Sequence, residues 1–116
     1  MQSRIVKWTV VFFEDAHGNK PVAEFLNSLA ASERAKAARL IELLQEQGTA
    51  LKAPYAKPLR EGLWELRPSQ KVRLIYRLHT DRRCVILHGV YKRTDQMPKK
   101  EIDTAARRWA EYLAKH

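Results

Sequence analysis

Apolar and polar residues alternate along three closely spaced runs in the second half of the chain, and elsewhere apolar residues recur at every third or fourth position. Alternation marks half-buried strands, because successive strand side chains point to opposite faces, whereas a spacing of three to four marks a helix. From Val72 to His79 the apolar set is Val72, Leu74, Tyr76 and Leu78, which leaves Arg73, Ile75, Arg77 and His79 opposite. From Val85 to Lys92, one side takes Val85, Leu87, Gly89 and Tyr91, and the other takes Ile86, His88, Val90 and Lys92. Leu63 to Arg67 alternates in the same way, with Trp64 and Leu66 inward and Glu65 and Arg67 outward. Pro68-Ser69-Gln70 and Thr80-Asp81-Arg82 then read as the turns of a three-stranded antiparallel meander.

Ile5 to Phe13, rich in β-branched and aromatic residues, predicts a further strand with Val6, Trp8, Val10 and Phe12 on one face. Pro21 suits the first turn of a short helix running to about Ala30, with Val22, Phe25, Leu26 and Leu29 at helical spacing. Ser32 is the expected N-cap of a second helix that carries Ala37, Leu40, Ile41 and Leu44 inward and stops at Gly48. Thr49 to Pro58 reads as a loop with two prolines. A last helix from about Pro98 to Ala114 lines up Ile102, Ala105, Ala106, Trp109, Tyr112 and Leu113. The order predicts an α+β domain spanning residues 1–116. In it a twisted, largely antiparallel sheet includes the N-terminal strand, the two N-terminal helices pack on one face, the opposite concave face stays open, and the C-terminal helix packs at its side.

Charge sharpens this picture. If the three meander strands bury their apolar sides against one core, their outward side chains are coplanar, so one surface collects Glu65, Arg67, Arg73, Arg77, His88 and Lys92. The 116 residues carry 22 Lys plus Arg against 13 Asp plus Glu, a net charge of +9 that favours a polyanionic partner such as nucleic acid. A membrane is not expected as a partner, since the apolar stretch Thr9 to Phe13 is far too short to span a bilayer. Cys84 is the only cysteine, which excludes an intrachain disulfide and Cys-rich metal sites. The four histidines, His17, His79, His88 and His116, lack ligand spacing, so neither a metal nor another cofactor is expected. The chain reads as soluble and cytoplasmic. Trp8, Trp64 and Trp109 fall on apolar faces, which assigns them to packing, and Arg34, Lys36 and Arg39 form a solvated helix face.

The string Lys57-Pro58-Leu59, Gly62-Leu63-Trp64-Glu65-Leu66-Arg67, Val72-Arg73-Leu74-Ile75-Tyr76, Leu87-His88-Gly89-Val90-Tyr91-Lys92-Arg93-Thr94 and Met97-Pro98, followed by Glu101-Ile102 and Ala105, resembles the RelE superfamily of type II toxin–antitoxin toxins. Its HigB-like, phage-derived branch is the nearest in pattern. The resemblance implies a RelE-like fold and a small endoribonuclease that cuts messenger RNA on the translating ribosome. It also implies a cognate antitoxin, of the helix-turn-helix HigA-like type, that holds the toxin inactive. Two other classes stay open on this fold: a gyrase-poisoning, ParE-like toxin and a non-catalytic RNA-binding member.

The chemistry of the outward residues agrees with RNA cleavage. Without a metal, the neighbouring 2′-hydroxyl is the nucleophile, charge on the phosphate must be stabilised, and the leaving 5′-oxygen must be protonated. Guanidinium groups suit the phosphate because their planar donors bind two oxygens at once and stay charged. Arg73 matches the family's central-strand arginine and Arg67 a basic position at the end of the preceding strand. Lys92 and Arg93 match a basic pair where transition-state stabilisation and leaving-group protonation are placed. A lysine acts as the acid only if its surroundings lower its pKa. His88 is the alternative acid or base. Glu65 is expected either to take the 2′-hydroxyl proton or to hold Arg67 and Arg73, and Arg77 to contribute RNA-facing electrostatics. Tyr91 shares parity with the core face, which assigns it to packing.

Overall fold

The computed structural model describes residues 7–116, so Ile5 and Val6, at the start of the expected N-terminal strand, lie outside the described residues. The elements are β1 (Thr9–Phe12), α1 (Pro21–Ser28), α2 (Ala31–Gln47), β2 (Ala56–Pro58), β3 (Trp64–Leu66), β4 (Val72–His79), β5 (Arg83–Tyr91) and α3 (Lys99–Lys115). They form one five-stranded sheet in the order β1-β5-β4-β3-β2. The β2 to β5 run is antiparallel throughout, as the turn signals require, while β1 joins the far edge parallel to β5.

The expected α+β, RelE-like arrangement is present, with the two N-terminal helices on one face of the sheet. Val22, Leu40 and Leu44 bury their side chains there against Leu66, Leu74, Tyr76, Cys84 and Ile86. Gly48, at φ +49°, ends α2 at the expected position, and any Cβ there would collide with the Trp8 ring. Two local expectations are corrected. Ala30, not Ser32, is the N-cap of α2, because the backbone ladder already begins with Arg34 N–H donating to the Ala30 carbonyl. The segment read as a loop contains β2, a three-residue edge strand whose Pro58 sits where a missing N–H is tolerated.

The opposite face is not open. Ile102 and Ala105 of α3 pack on Ile75, Val85, Leu87 and Val90, so this helix lies across the face rather than at its side. The physical reason is that both surfaces are apolar, and docking one on the other removes both from water.

A β-bulge also reshapes β5. Ile75 pairs with His88 and Tyr76 with Ile86, which leaves Leu87 as an extra residue. The expected alternation therefore breaks: Cys84 and Ile86 face α1 and α2, while Val85 and Leu87 face α3. Gly89 lies on the α1 side, where an added Cβ would stand 2.3 Å from the Phe25 ring, so the absence of a side chain lets α1 approach β5.

Candidate functional site

With α3 covering much of its face, the sheet gathers charged side chains where β3 ends, β4 begins and β5 ends. A pocket of about 730 Å³ opens there. Its wall carries five cations, Arg67, Lys71, Arg73, Lys92 and Arg93, against one carboxylate, Asp95. Arg67, Arg73 and Lys92 reach it through strand alternation, and Arg93 through the connection that follows β5.

Beneath the pocket a second carboxylate organises the cations. Glu65 is 3% exposed, and its Oε2 lies 3.5 Å from the Nε of both Arg67 and Arg73. Arg73 is 5% exposed. Its Nη1 donates to the carbonyl of Ser69 at 2.5 Å and to that of Val72 at 2.9 Å, while its Nε is buried with no hydrogen-bond acceptor. Burial lowers the Arg73 pKa, and the Glu65 carboxylate opposes that effect. The turn bearing Ser69 is held from α2, since Ser69 Oγ accepts from Val72 N–H and lies 3.5 Å from Glu33 Oε2.

Lys92 is 6% exposed and donates from Nζ to the Asp95 carbonyl. Burial again lowers its pKa, and the positive charges of Arg73 and Arg67 add to this, while Glu65 and Asp95 oppose it. Three cations thus share one buried carboxylate. Such a cluster holds more positive charge than its own acids neutralise, in a medium where charge is costly to leave unpaired. An anion in the pocket would offset that excess of positive charge.

The remaining sequence candidates lie elsewhere. His88, on the same face, is beneath α3, with Nε2 2.7 Å from Glu101 Oε1 and Nδ1 3.0 Å from an Arg108 donor. Arg77 is toward the other end of β4, where it donates to the Glu61 carbonyl and lies 5.0 Å from the Trp109 ring centre. Neither lines the pocket. Tyr91 has the expected parity but is not packed: it is 48% exposed, lines the pocket, and its hydroxyl is 3.4 Å from Glu33.

Sequence reasoning missed Ser69, Asp95, Glu101 and Arg108. The seven-residue interval from Glu101 to Arg108, two helical turns on the stripe of Ile102 and Ala105, was the available signal for the last two.

The family model described as phage derived protein Gp49-like matches residues 24–110. No curated protein matches the chain. Among solved structures, the chain is similar to the toxin–antitoxin complex RelBE2 from Mycobacterium tuberculosis at 22% identity, covering 78% of this chain and 98% of that one, with a TM-score of 0.56. It is also similar to a YoeB/ParE toxin from Agrobacterium tumefaciens at 18% identity, covering 73% of this chain and 99% of that one, with a TM-score of 0.53. At these identities the likeness is one of fold.

Proposed function

The chain belongs to the Gp49-like family of phage-derived proteins, a family of RelE/HigB-type toxins, and from that membership we propose that it is a metal-independent endoribonuclease that cuts messenger RNA on the ribosome. The observation that carries the reading is the cation cluster on the pocket wall: Arg67, Arg73 and Lys92 around the single buried carboxylate of Glu65. A phosphodiester matches that cluster in charge and geometry.

In this reading Arg73 and Arg67 bind the scissile phosphate and Glu65 holds both guanidinium groups from behind. The adjacent 2′-hydroxyl attacks phosphorus in line, giving its proton to solvent water, and the bond to the 5′-oxygen breaks. Lys92 supplies the leaving oxygen with a proton, which its lowered pKa makes easier to give up. Arg93, exposed at the pocket rim, tracks the RNA backbone. The place of action is the cytoplasm, where translating ribosomes present the message.

Products are expected to carry a 2′,3′-cyclic phosphate or its 3′-phosphate hydrolysis product. Cleavage is expected to persist in excess chelator once the ribosome's own magnesium need is met. RNA affinity should fall steeply with salt, with a log–log slope of about −0.7 for each phosphate neutralised. End-group analysis tests the chemistry directly, and a 3′-hydroxyl would replace the 2′-hydroxyl mechanism with attack by an activated water.

The partner implied by the family is an antitoxin. A net charge of +9 and a cationic pocket are best neutralised by an acidic segment laid on the pocket or its rim. The product of the adjacent reading frame, expected to be a small helix-turn-helix protein, should co-purify with this chain and abolish cleavage. Elution of the two in separate fractions counts against the module.

A further inference from the structure

The extra residue in β5 gives His88 an unusual setting. The bulge at Leu87 presents Leu87 and His88 together toward α3, where Leu87 packs on the helix and His88 meets two of its polar residues. Arg108 donates from Nη1 both to His88 Nδ1 at 3.0 Å and to the Leu87 carbonyl at 2.9 Å. A guanidinium only donates, so Nδ1 is the unprotonated nitrogen and Nε2 carries the hydrogen given to Glu101. The ring is therefore neutral and bonded at both nitrogens, with no lone pair or proton left for a substrate. Burial favours the same state, holding the His88 pKa below the usual histidine value, with Arg108 and Arg107 adding to the effect and the Glu101 carboxylate opposing it.

What this arrangement fixes is the start of α3. Glu101 lies in its first turn, and Arg108 is two turns further on. The residues between Lys92 and the helix supply Arg93, Thr94 and Asp95 to the pocket wall, and the Asp95 carbonyl accepts the Lys92 ammonium. Residues 93–96 are exposed. Their position is thus set from the two ends, by β5 on one side and by the docked helix on the other.

We propose that His88, Glu101 and Arg108 form a polar clip that seats the start of α3 on the bulge of β5, and through it holds the Arg93–Pro98 connection against Lys92. These three are positioning residues for the RNA cleavage proposed above, and the inference rests on that reading only where activity is the readout.

The test uses the full chain, with hydrogen exchange at the Glu101 and Ile102 amides, which donate to the Pro98 carbonyl where the connection enters α3, read alongside single-turnover cleavage. Glutamine can accept from Arg108 and donate to Glu101 without titrating, so His88→Gln is expected to keep both the protection and, within about twofold, the rate. Glu101→Gln, which retains an acceptor, should behave likewise. His88→Ala and Arg108→Ala are expected to lose protection at the Glu101 and Ile102 amides and to slow cleavage on the order of tenfold, with RNA affinity nearly unchanged, as displacement of a positioned group does. If His88→Ala does not fold, His88→Gln and Arg108→Ala make the same comparison. The clip is overturned if His88→Gln is as slow as His88→Ala with the Glu101 and Ile102 amides still protected, because His88 then acts chemically. It is equally overturned if Arg108→Ala leaves exchange at the Glu101 and Ile102 amides unaltered. Should the parent chain cleave no RNA at all, the nuclease reading fails separately and the exchange data alone decide the clip.

Discussion

Arg73→Ala is expected to lower RNA turnover by about 10²-fold or more, the loss typical of removing a preorganised donor aimed at charge that develops in the transition state. The side chain is the most constrained cation in the pocket: two backbone carbonyls hold its Nη1 and Glu65 faces its Nε. That geometry is fixed before RNA arrives, so the reaction does not have to organise it. RNA affinity should fall much less, because Arg67, Lys71 and Arg93 still line the wall. The same substitution is expected to destabilise the fold. It leaves Glu65 buried with one of its two arginines gone, at a cost of about 3 kcal/mol, the low end for breaking a buried pair. For a chain of this size that lowers Tm on the order of 10 °C. Turnover must therefore be compared where melts show both proteins folded. Arg73→Lys keeps the charge but lacks the planar fork, and should recover stability more than rate. Parent-like cleavage by Arg73→Ala would move the site elsewhere. Growth arrest through DNA damage, with messenger RNA intact in every variant, would replace the nuclease by a gyrase-binding toxin.

Lys92→Met is expected to lower cleavage by about 10²- to 10⁴-fold, the usual contribution of a positioned general acid. Methionine keeps the buried aliphatic stem and removes only the ammonium, so the fold should be little disturbed. The proton-donating form of Lys92 exists below its pKa, which burial and the neighbouring arginines hold under the ordinary lysine value of 10.5. The parent's rate should accordingly decline on the alkaline side at a pH below 10.5, and this decline should be absent from the residual activity of Lys92→Met. An RNA whose scissile 5′-oxygen is replaced by sulfur has a leaving group that needs no acid. On that substrate Lys92→Met should regain most of the lost rate and Arg73→Ala should not. Equal defects of the two variants on the sulfur substrate would remove Lys92 from the role of acid.

The part of this site that was legible in the sequence is the part set by strand parity. Period-two alternation placed Glu65, Arg67, Arg73 and Lys92 on one side of adjacent strands, and the observed pairing brings them together there. Burial was not legible. Arg73 and Lys92 read as outward residues, yet both are under one-tenth exposed, because their surroundings are completed by the 93–98 connection and the Ser69 turn rather than by their own strands. His88 and Arg77 were grouped with them by the same rule and are separated in space by α3, whose docking is a long-range event that no local window reports. The bulge at Leu87 has no signal in an apolar run, since Val85, Ile86 and Leu87 suit either face equally. The edge strand β2 was hidden by its length and by Pro58.

The parallel pairing of β1 with β5 has a bearing on the order of assembly. Thr9 is matched to Arg83, so the first strand made is paired with the last. Strands β2 to β5 meet successive neighbours across short turns and pair as soon as they are available, whereas β1, α1 and α2 must close a far longer loop onto a sheet that does not yet exist. Loop closure grows only logarithmically in cost, so this is a matter of sequence in time more than of final stability. Phe12 and Val22 on the early segments find Ile86 only after β5 has emerged. A chain emerging from its N-terminus therefore carries an unsatisfied apolar layer until β5 has been made, and its cationic pocket is completed only when residues 92–95 follow.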